Sequence, residues 1–464
     1  MTNEKESHLH ESQQLAAFAS QLQFEHIPDA AIRRIKLCLL DAAGCALFAS
    51  TLPWGKILSD YVIDQQGREQ AYIWGRHQRV PAAMAALVNG TLIHGFELDD
   101  LHKASILHPS SAVMPAALAI AEAQGGISGR AFLTACVAGF EVGARAGMSL
   151  GTAHLVQGFH PTGTNGTVAA AAAAGRLLGL DPKQMEHAIS IAATQASGLM
   201  AAQFESMVKR MHAGRASQSG VYGAELAQRG FTGIDDVFET AYGGYCSTFS
   251  TMPNSAIIAQ DLGTVFETEK VGFKVYSCCG SCHTSVEAAR RIRARQKIAP
   301  ADIERIEVSS SMATLLHVGW PYEPRSITSA QMNLPYCLAV TLIDGDAFVE
   351  QFTAERIVEK SVCALASRVE VKHDSAFDAL GPSGRHKVHV AIHMKNGVCL
   401  EETVDHAKGS DQNPLTPDEV VEKFHRIASS VCGEAWSTDA LDVIMSLEAR
   451  PSTSPLSDLL SRSN

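Results

Sequence analysis

The sequence predicts a mainly α protein, with a large all-helical domain and a smaller α+β domain. Apolar residues recur at three- and four-residue steps through the first 267 residues, and no strand pattern precedes about residue 270. Alternating strand patterns follow, and helical spacing returns near the end. The 464-residue chain also exceeds the roughly 250–300 residues at which one core usually splits. We therefore predict a helical domain of residues 1–267 with 412–464, and an α+β domain of residues 268–411.

Helix starts are marked along the first part of the chain. Pro28 and Asp29 precede one apolar run, Ser128 precedes a second, and Asp181-Pro182 opens a third. Thr164 to Leu180 forms an Ala-rich helix. A glycine recurs every four positions from Gly139 to Gly147, which predicts close packing between helices in a chain of this composition.

Strand patterns mark the predicted α+β domain. IERIEVSSS alternates like a half-buried strand, and a further strand is expected at Val369 to Lys372. HKVHVAIHM and GVCLEETV flank Asn396-Gly397, a strong hairpin signal. The helices predicted here and in the tail are His283 to Arg295, Ser326 to Leu342, Glu355 to Leu365, Val420 to Ser430 and Ala440 to Leu447.

Composition narrows the class of protein. Hydrophobic residues make up 46% and charged residues 19%, which is ordinary for a globular protein. The net charge of −11 argues against a nucleic-acid binder, although a local pocket can still be cationic. The VAAAAAAGRLLGL run is too short for a membrane span and contains Arg176. Irregularly spaced cysteines and a polar start without an apolar signal core predict a cytoplasmic protein.

The stretch from Asn89 to Val113 is the first candidate site. It begins as a helix and breaks into a polar segment, and the HPSS serines can cap the next helix. A solvated loop would explain any one polar residue, but the density of titratable groups favours function. These groups are Glu97, Asp99, Asp100, His102, Lys103 and His108.

Two further segments could bind an anion. His160 precedes a Thr- and Gly-rich turn containing Thr162 and Gly163, where bare N–H groups at a helix start suit a carboxylate or phosphate. Glycines for a tight turn are the alternative interpretation. Lys209 and His212 lie three residues apart and face one side of a helix. A surface basic run is the alternative there.

The SCCGSCHTS segment suggests a metal site at first. Cys279 and Cys282 form a CxxC pair beside Cys278 and His283, but no second pair stands at zinc or iron–sulfur spacing. We predict buried structural thiols and no metal. The polar residues of SAQMNLPYCLAV, among them Gln331, are explained mostly by packing.

Together, these segments resemble the MmgE/PrpD family. The order NG…H–DD–HPS, FHPTGT, K..HAG, C..H and NLPY runs over essentially the whole chain. The resemblance implies a helical domain built from both ends of the chain, an α+β lid, a homodimer, and a cofactor-free site between the domains.

The resemblance also implies roles for individual residues. The family's active-site histidines fall on His108, His160 and His283, and its lysine falls on Lys209. Its acidic position holds Glu97 instead of the usual Asp, which leaves Glu97, Asp99 and Asp100 as candidates for the working acid. The KRMHAG segment is similar to the decarboxylase and epimerase branches, whereas methylcitrate dehydratases have Trp-Lys-Gly there.

The predicted function is that of a cofactor-independent lyase acting on a small di- or tricarboxylate. Catalysis would use Glu97, Asp100, His108, His160, Lys209 and His283, with Thr162, Gly163 and His212 binding substrate. Cationic Lys and imidazole groups can stabilise an enediolate-like charge and transfer protons near neutral pH. The first of the predicted activities is that of a cis-aconitate decarboxylase-like enzyme or a dehydratase. The alternatives are an iminodisuccinate-type epimerase, 2-methylcitrate dehydratase, an iron–sulfur hydratase and a non-catalytic scaffold.

Overall fold

A computed structural model describes residues 9–462 and confirms a mainly α protein. Within that range the chain forms nineteen α-helices, a two-stranded sheet and a four-stranded sheet. One hydrophobic core joins the first ten helices to the last three. A second core lies between the four-stranded sheet and the helices that follow residue 282.

Ten helices precede residue 250. They are α1 (Glu11–Gln21), α2 (Asp29–Ser50), α3 (Pro53–Asp64), α4 (Ala82–Ile93), α5 (Pro109–Ala123), α6 (Gly129–Val156), α7 (Pro161–Leu177), α8 (Pro182–Ala193), α9 (Val208–Gln228) and α10 (Tyr245–Phe249). The predicted caps are confirmed at Ser128, which accepts from the Ala131 N–H, and at Asp181, which forms a capping box with Gln184.

The prediction of no strand before residue 270 is wrong. Strands β1 (Ala71–Tyr72) and β2 (Arg79–Val80) form a short antiparallel pair between α3 and α4. Each strand has only two residues, so no alternation of polar and apolar residues could develop.

Glycines allow the central helices to approach closely. A Cβ on Gly139 would lie 2.8 Å from the Ala169 carbonyl oxygen, and one on Gly143 would lie 2.6 Å from the Ala169 Cβ. The predicted close packing of α6 is therefore confirmed against α7. A Cβ on Gly214 of α9 would lie 2.0 Å from the Leu87 carbonyl oxygen of α4. The contact between α4 and α9 fixes the two elements that carry much of the candidate site.

Gly214→Ala is therefore expected to lower the free energy of unfolding by about 1–3 kcal/mol, because overpacking forces the helices apart. Denaturant unfolding measures this change. Ser217→Ala on the same helix is the control, since the Ser217 hydroxyl has no hydrogen-bond partner among the described residues. Equal stability of the Gly214 variant and the control would show that α4 and α9 tolerate separation.

The second region contains six helices and a mixed sheet. Its helices are α11 (His283–Arg295), α12 (Met312–Val318), α13 (Ile327–Gln331), α14 (Leu334–Asp344), α15 (Lys360–Ala366) and α16 (Ser375–Asp378). Its strands are β3 (Ile303–Ser310), β4 (Val369–His373), β5 (Val388–Met394) and β6 (Cys399–Val404), in the order β4-β3-β5-β6. β4 runs parallel to β3, and β5 is antiparallel to both β3 and β6.

Most elements predicted in this region are present, with two interruptions. The helix from His283 to Arg295 and the hairpin at Asn396-Gly397 are confirmed. The single helix predicted from Ser326 to Leu342 is wrong, because the Asn333 side chain accepts from the Tyr336 N–H and starts α14. The helix predicted from Glu355 to Leu365 is also divided, into a 3₁₀ turn at Arg356–Val358 and the helix α15.

The chain ends in α17 (Pro417–Cys432), α18 (Glu434–Met445) and α19 (Ser454–Ser461). α17 packs against α2, where the Phe424 ring would lie 3.1 Å from a Cβ on Gly44. Trp436 and Leu459 join the same core. The last helix was not predicted. The tail thus packs on the helices that begin the chain.

Among the described residues, no single helix is long and apolar enough to cross a membrane. Together, α2 and α3 pass the test of length and composition, but they are bent by 85° at the break between them.

Candidate active site

A small cavity of about 50 Å³ lies where α7 and α9 begin, and loops of the second region close it. Its wall contains imidazoles, cations and one acid. The polar lining residues are Glu97, His108, His160, Lys209, Cys279, Ser281, His317, Arg385 and His386. An adjoining cavity shares Leu101, Gly280 and His386, and it is also lined by Lys103, Lys274 and His283.

The backbone after α4 places the first group of site residues. α4 ends at Ile93, a 3₁₀ turn follows, and Glu97 then adopts a left-handed conformation with φ 55° and ψ 34°. A residue other than glycine is uncommon there, so the surrounding contacts must hold the turn in place. The turn brings His94, Glu97 and Asp99 together within six residues of sequence.

The serines of the HPSS turn do not cap α5 as expected. The helix begins at Pro109, and its N-cap residue His108 makes no side-chain cap. Asp100 supplies the acceptor instead, since the Ser110 hydroxyl donates to it at 2.7 Å and the Ser110 N–H at 3.3 Å. Burial and the Asp99 carboxylate raise the pKa of Asp100 well above its ordinary range. Asp100 therefore faces the start of α5 and does not line the cavity.

The Asp99 carboxylate contacts two imidazoles. The His94 Nδ1–H donates to Asp99 Oδ2 at 2.9 Å, and His108 Nδ1 lies 3.3 Å from the same oxygen. Asp99 is fully buried, yet the two imidazoles hold its pKa well below the ordinary range. In the described part of the chain, Nε2 of His108 has no hydrogen-bond partner. Nδ1 of His108 faces Asp99 without forming a hydrogen bond to a described residue, and Nε2 is left for a ligand in the cavity.

Glu97 contacts three cations. Lys209 and Arg210 donate to Oε1, with Arg210 at 2.6 Å, and Lys274 donates to Oε2 at 2.7 Å. Burial disfavours the charge of Glu97, but these cations hold its pKa well below the ordinary value. Lys209 also lies 3.5 Å from His94 Nε2. Cations therefore contact both carboxylate oxygens of Glu97. Of the three candidate acids, Asp99 is the one that contacts His108.

Arg210 links this cluster to the second region. Its guanidinium donates to the Gln331 side-chain oxygen at 2.6 Å, and the Gln331 amide donates to the Phe96 carbonyl oxygen at 2.9 Å. The alternative that residues 208–217 form a surface basic run is wrong, because Lys209 and Arg210 are buried. Packing alone also fails to explain Gln331, because its side chain forms hydrogen bonds with Arg210 and with the Phe96 carbonyl oxygen.

His160 and His212 form a second imidazole pair. Their Nδ1 atoms lie 3.0 Å apart, so one ring donates a hydrogen bond to the other. Burial, with Lys209 nearby, lowers the pKa of His212 to about 4 and that of His160 well below its ordinary value. Both rings are therefore neutral near pH 7.

Thr162 and Gly163 lie beneath the cavity wall. The Thr162 hydroxyl accepts from the His108 N–H at 3.2 Å, and the Gly163 N–H donates to the His160 carbonyl oxygen. A Cβ on Gly163 would lie 2.3 Å from the Ser197 carbonyl oxygen. Both residues position the two histidines, and neither lines the cavity.

His283 lines the adjoining cavity, and Cys279 lines the main one. The His283 Nε2–H donates to the Cys278 carbonyl oxygen at 3.2 Å. Cys278, Cys279 and Cys282 are buried free thiols, as predicted.

Sequence reasoning missed Lys274, His317, Arg385 and His386, and it met His94 only as the H of the quoted family motif, without a role. His94 follows Ile93 in what reads as an apolar helix, and its three-residue spacing from Glu97 was the available signal. Lys274, Arg385 and His386 lie in loops far apart in sequence, and His317 lies in α12. Arg385 and His386 follow a Gly-Pro-Ser-Gly turn that gave no functional signal.

The family follows from comparison with known sequences. The sequence model of the MmgE/PrpD N-terminal domain matches residues 13–256, and that of the MmgE/PrpD C-terminal domain matches residues 276–448. The chain belongs to the MmgE/PrpD family. The resemblance predicted from its motifs is confirmed.

Three relatives match this MmgE/PrpD protein over nearly their whole length. A cis-aconitate decarboxylase-like protein of Aspergillus oryzae is 34% identical, over 97% of this chain and 96% of its own. The cis-aconitate decarboxylase of Aspergillus terreus is 32% identical, over 96% and 95%. The human cis-aconitate decarboxylase is 29% identical, over 95% and 92%. The chain is an enzyme of the lyase class.

The MmgE/PrpD site also contains one possible donor set for a metal. His94, Asp99 and His108 offer ligand atoms within 4.8 Å of one another. Two imidazoles and a carboxylate are ligands that zinc or ferrous iron accepts. An ion would replace the N–H that His94 now donates to Asp99. The absence of a metal stays a prediction, which the chelator experiment below tests.

The buried imidazoles of this protein predict how its stability depends on pH. Burial lowers the pKa of His94 to about 3, although Asp99 opposes the shift, and it lowers that of His154 to about 4. These rings stay neutral in the folded chain while the unfolded chain binds protons below about pH 6.5. Their stabilising contribution is present above pH 6.5 and is lost as the pH falls. Asp100, with its raised pKa, acts in the opposite direction.

The free energy of unfolding is therefore expected to fall between pH 6.5 and 5, by at least the roughly 1.4 kcal/mol per pH unit that one proton contributes. Denaturant titrations at several pH values measure the slope. His154→Gln should reduce it by about one proton, since His154 lies outside the cavity and bonds Phe249 and Thr164. An unchanged slope in His154→Gln would show that this ring is charged in the folded protein.

Proposed function

We propose that this chain is a cis-aconitate decarboxylase-type lyase that needs no cofactor. The observation that carries the proposal is the Asp99–His108 pair, which presents a free Nε2 at a cavity lined with cations. The names of the full-length relatives support the same substrate. The chain also has a K..H.G segment, at Lys209 to Gly214, the form that its family resemblance assigns to the decarboxylase and epimerase branches.

The reaction requires charge stabilisation and one proton. Cis-aconitate loses the carboxylate on its methylene carbon as CO₂, and the electron pair of the broken bond forms a double bond to the central carbon. The original double-bond pair moves to the neighbouring CH carbon and is delocalised into the adjacent carboxylate. One proton added to this carbon gives 2-methylidenebutanedioate. The site must therefore stabilise a dienolate and deliver a proton to carbon.

His108 is proposed as the proton donor. Asp99 lies 3.3 Å from Nδ1 of this ring, so Nε2 is the nitrogen that would carry the proton to the substrate. Lys209 is proposed to stabilise the dienolate carboxylate as a fixed charge, because Glu97 favours its protonated form although burial lowers its pKa. The neutral His160–His212 pair is proposed to donate a hydrogen bond to the substrate. His283 is proposed to position the loop that carries Cys279, and Asp100 to hold the start of α5.

The predicted domains enter this proposal as two parts of the site. Residues 1–267 with 412–464 are proposed as the helical body, which is supported by the packing of α17 on α2. Residues 268–411 are proposed as a lid. The Arg210–Gln331 hydrogen bond joins the two parts, and Lys274 comes from the lid to contact Glu97. Closing the lid would complete the cluster of cations around the substrate.

The protein is also proposed to be a cytoplasmic homodimer. No disulfide joins cysteines among residues 9–462, which suits a reducing compartment. Tyr242 is 98% exposed and Met252 79% exposed, in a segment of the helical region that could meet a second copy. Light scattering on the purified protein tests the dimer, and a monomer at micromolar concentration would contradict it.

A substrate panel tests the proposed reaction. Purified protein is incubated with cis-aconitate, citrate, 2-methylcitrate and iminodisuccinate, before and after dialysis against a chelator. We expect CO₂ release from cis-aconitate and from none of the other three acids. The chelator should not change its rate. Dehydration of 2-methylcitrate or epimerisation of iminodisuccinate would replace the proposal with one of its alternatives. Loss of activity in chelator would assign a metal to His94, Asp99 and His108.

A further inference from the structure

Arg385 differs from every other buried cation of the described chain. Seven lysine and arginine residues are buried, and six of them contact a carboxylate. The six pairs are Lys36–Glu448, Arg145–Glu141, Lys209–Glu97, Arg210–Glu97, Lys274–Glu97 and Lys423–Asp41. Arg385 has no carboxylate within 4 Å among residues 9–462 and is only 8% exposed. An unpaired buried charge is costly, so this exception requires a reason.

The surroundings of Arg385 leave its charge uncompensated. Its guanidinium donates to the Lys103 carbonyl oxygen at 2.9 Å and, through Nε, to His386 at 3.2 Å. Both acceptors are neutral, because burial lowers the pKa of His386 well below its ordinary value. Burial also lowers the pKa of Arg385 itself to about 10. Glu97, the one acid lining this cavity, is already bound by three cations.

Arg385 also lies in the right place to meet a ligand. It lines the same cavity as His108 and Lys209, and it belongs to the loop before β5. Its bond to Lys103 spans the helical region and the second region, so the guanidinium is held from both sides. A planar guanidinium forms paired hydrogen bonds with a carboxylate.

We propose that Arg385 binds one of the three carboxylates of the substrate and thereby selects tricarboxylates over dicarboxylates. This inference rests on the proposed function and names a specificity residue for it. The Glu97–Lys209 cluster provides positive charge at one wall of the cavity, and Arg385 provides it at another. A substrate lacking one carboxylate would leave one of these cationic positions unoccupied.

Binding of inert analogues tests the proposal. Propane-1,2,3-tricarboxylate has no double bond and cannot decarboxylate, and pentanedioate lacks its central carboxylate. Calorimetry on the full chain gives Kd for each ligand. Wild type is expected to prefer the tricarboxylate by about 10- to 100-fold, the contribution of a charge-assisted pair, and Arg385→Met should lose that preference.

Two further variants make the test decisive. Lys387→Met removes a positive charge two residues away in the same loop, where Lys387 pairs with Asp405 at 2.7 Å, and it should keep the wild-type preference. Arg385→Lys retains the charge and should show an intermediate preference, even if Arg385→Met fails to fold. The melting temperature of unliganded Arg385→Met should stay within a few degrees of wild type, because the change removes a charge without a partner.

The outcomes separate the two proposals. If wild type binds the tricarboxylate and Arg385→Met or Arg385→Lys keeps the full preference, the role of Arg385 is overturned while the proposed function stands. If wild type releases CO₂ from cis-aconitate without preferring the tricarboxylate analogue, the selection is overturned alone. If wild type neither binds tricarboxylates nor acts on cis-aconitate, both proposals fail.

Discussion

His108→Ala is expected to lower kcat for cis-aconitate on the order of 10³-fold, because it removes the proposed proton donor to carbon. Asp99→Asn should lower kcat by a similar order, since the His108 ring would lose the negative charge that lies 3.3 Å from its Nδ1. The variants should bind propane-1,2,3-tricarboxylate within about tenfold of wild type. Steady-state kinetics over a range of pH, together with calorimetry, measure both effects.

His102 provides a matched control for His108. It lies in the same loop, is also buried and contacts an acid, Glu267, at 3.2 Å, but it does not line the cavity. His102→Ala should lower stability by about 1–3 kcal/mol and leave kcat within a small factor. A loss of kcat in His102→Ala as large as that in His108→Ala would mean that the loop, and not the His108 imidazole, determines the rate.

Lys209→Met is expected to lower kcat/KM by about 10²- to 10³-fold, because it removes the charge proposed to stabilise the dienolate. Lys209→Arg keeps the charge with a different shape and should retain partial activity. Glu97 would still contact Arg210 and Lys274 in the Met variant, so the fold should persist. Kinetics on the purified variants measure the loss.

Two control variants and a borohydride experiment test whether Lys209 acts as a fixed charge. Lys270→Met removes a half-exposed lysine that pairs with Glu267, and Cys279→Ser changes a neutral lining group. Both variants should stay within a small factor of wild type. Borohydride added with substrate should leave the protein mass unchanged. A mass increase on the peptide containing Lys209 would assign it to a Schiff base instead of a fixed charge.

Local signals in the sequence were sufficient to predict most helices and the hairpin. Caps such as Ser128 and Asp181 act within one turn, so the helix starts they mark were predicted correctly. Short β1 and β2 were missed because two residues carry no period. The break before α14 was missed because a polar cap at Asn333 lies inside an apolar run.

The site could be predicted only where it is continuous in sequence or carried by a family motif. The segment around Glu97 to His108 was found because its charges are dense. The separate roles of its acids depend on one left-handed residue, Glu97, which no pattern indicates. Arg385 reaches the cavity from a loop 277 residues beyond His108, and only tertiary packing reveals that it lacks an acidic partner.

The central claim is tested most directly by NMR of cis-aconitate turned over in D₂O. Decarboxylation with protonation at the CH carbon predicts 2-methylidenebutanedioate with one deuterium on its saturated methylene carbon and none on its methylidene carbon. The signal of dissolved CO₂ should rise in equal amount. Hydration products, deuterium exchange into unreacted substrate without CO₂ release, or deuterium on the methylidene carbon would contradict the account.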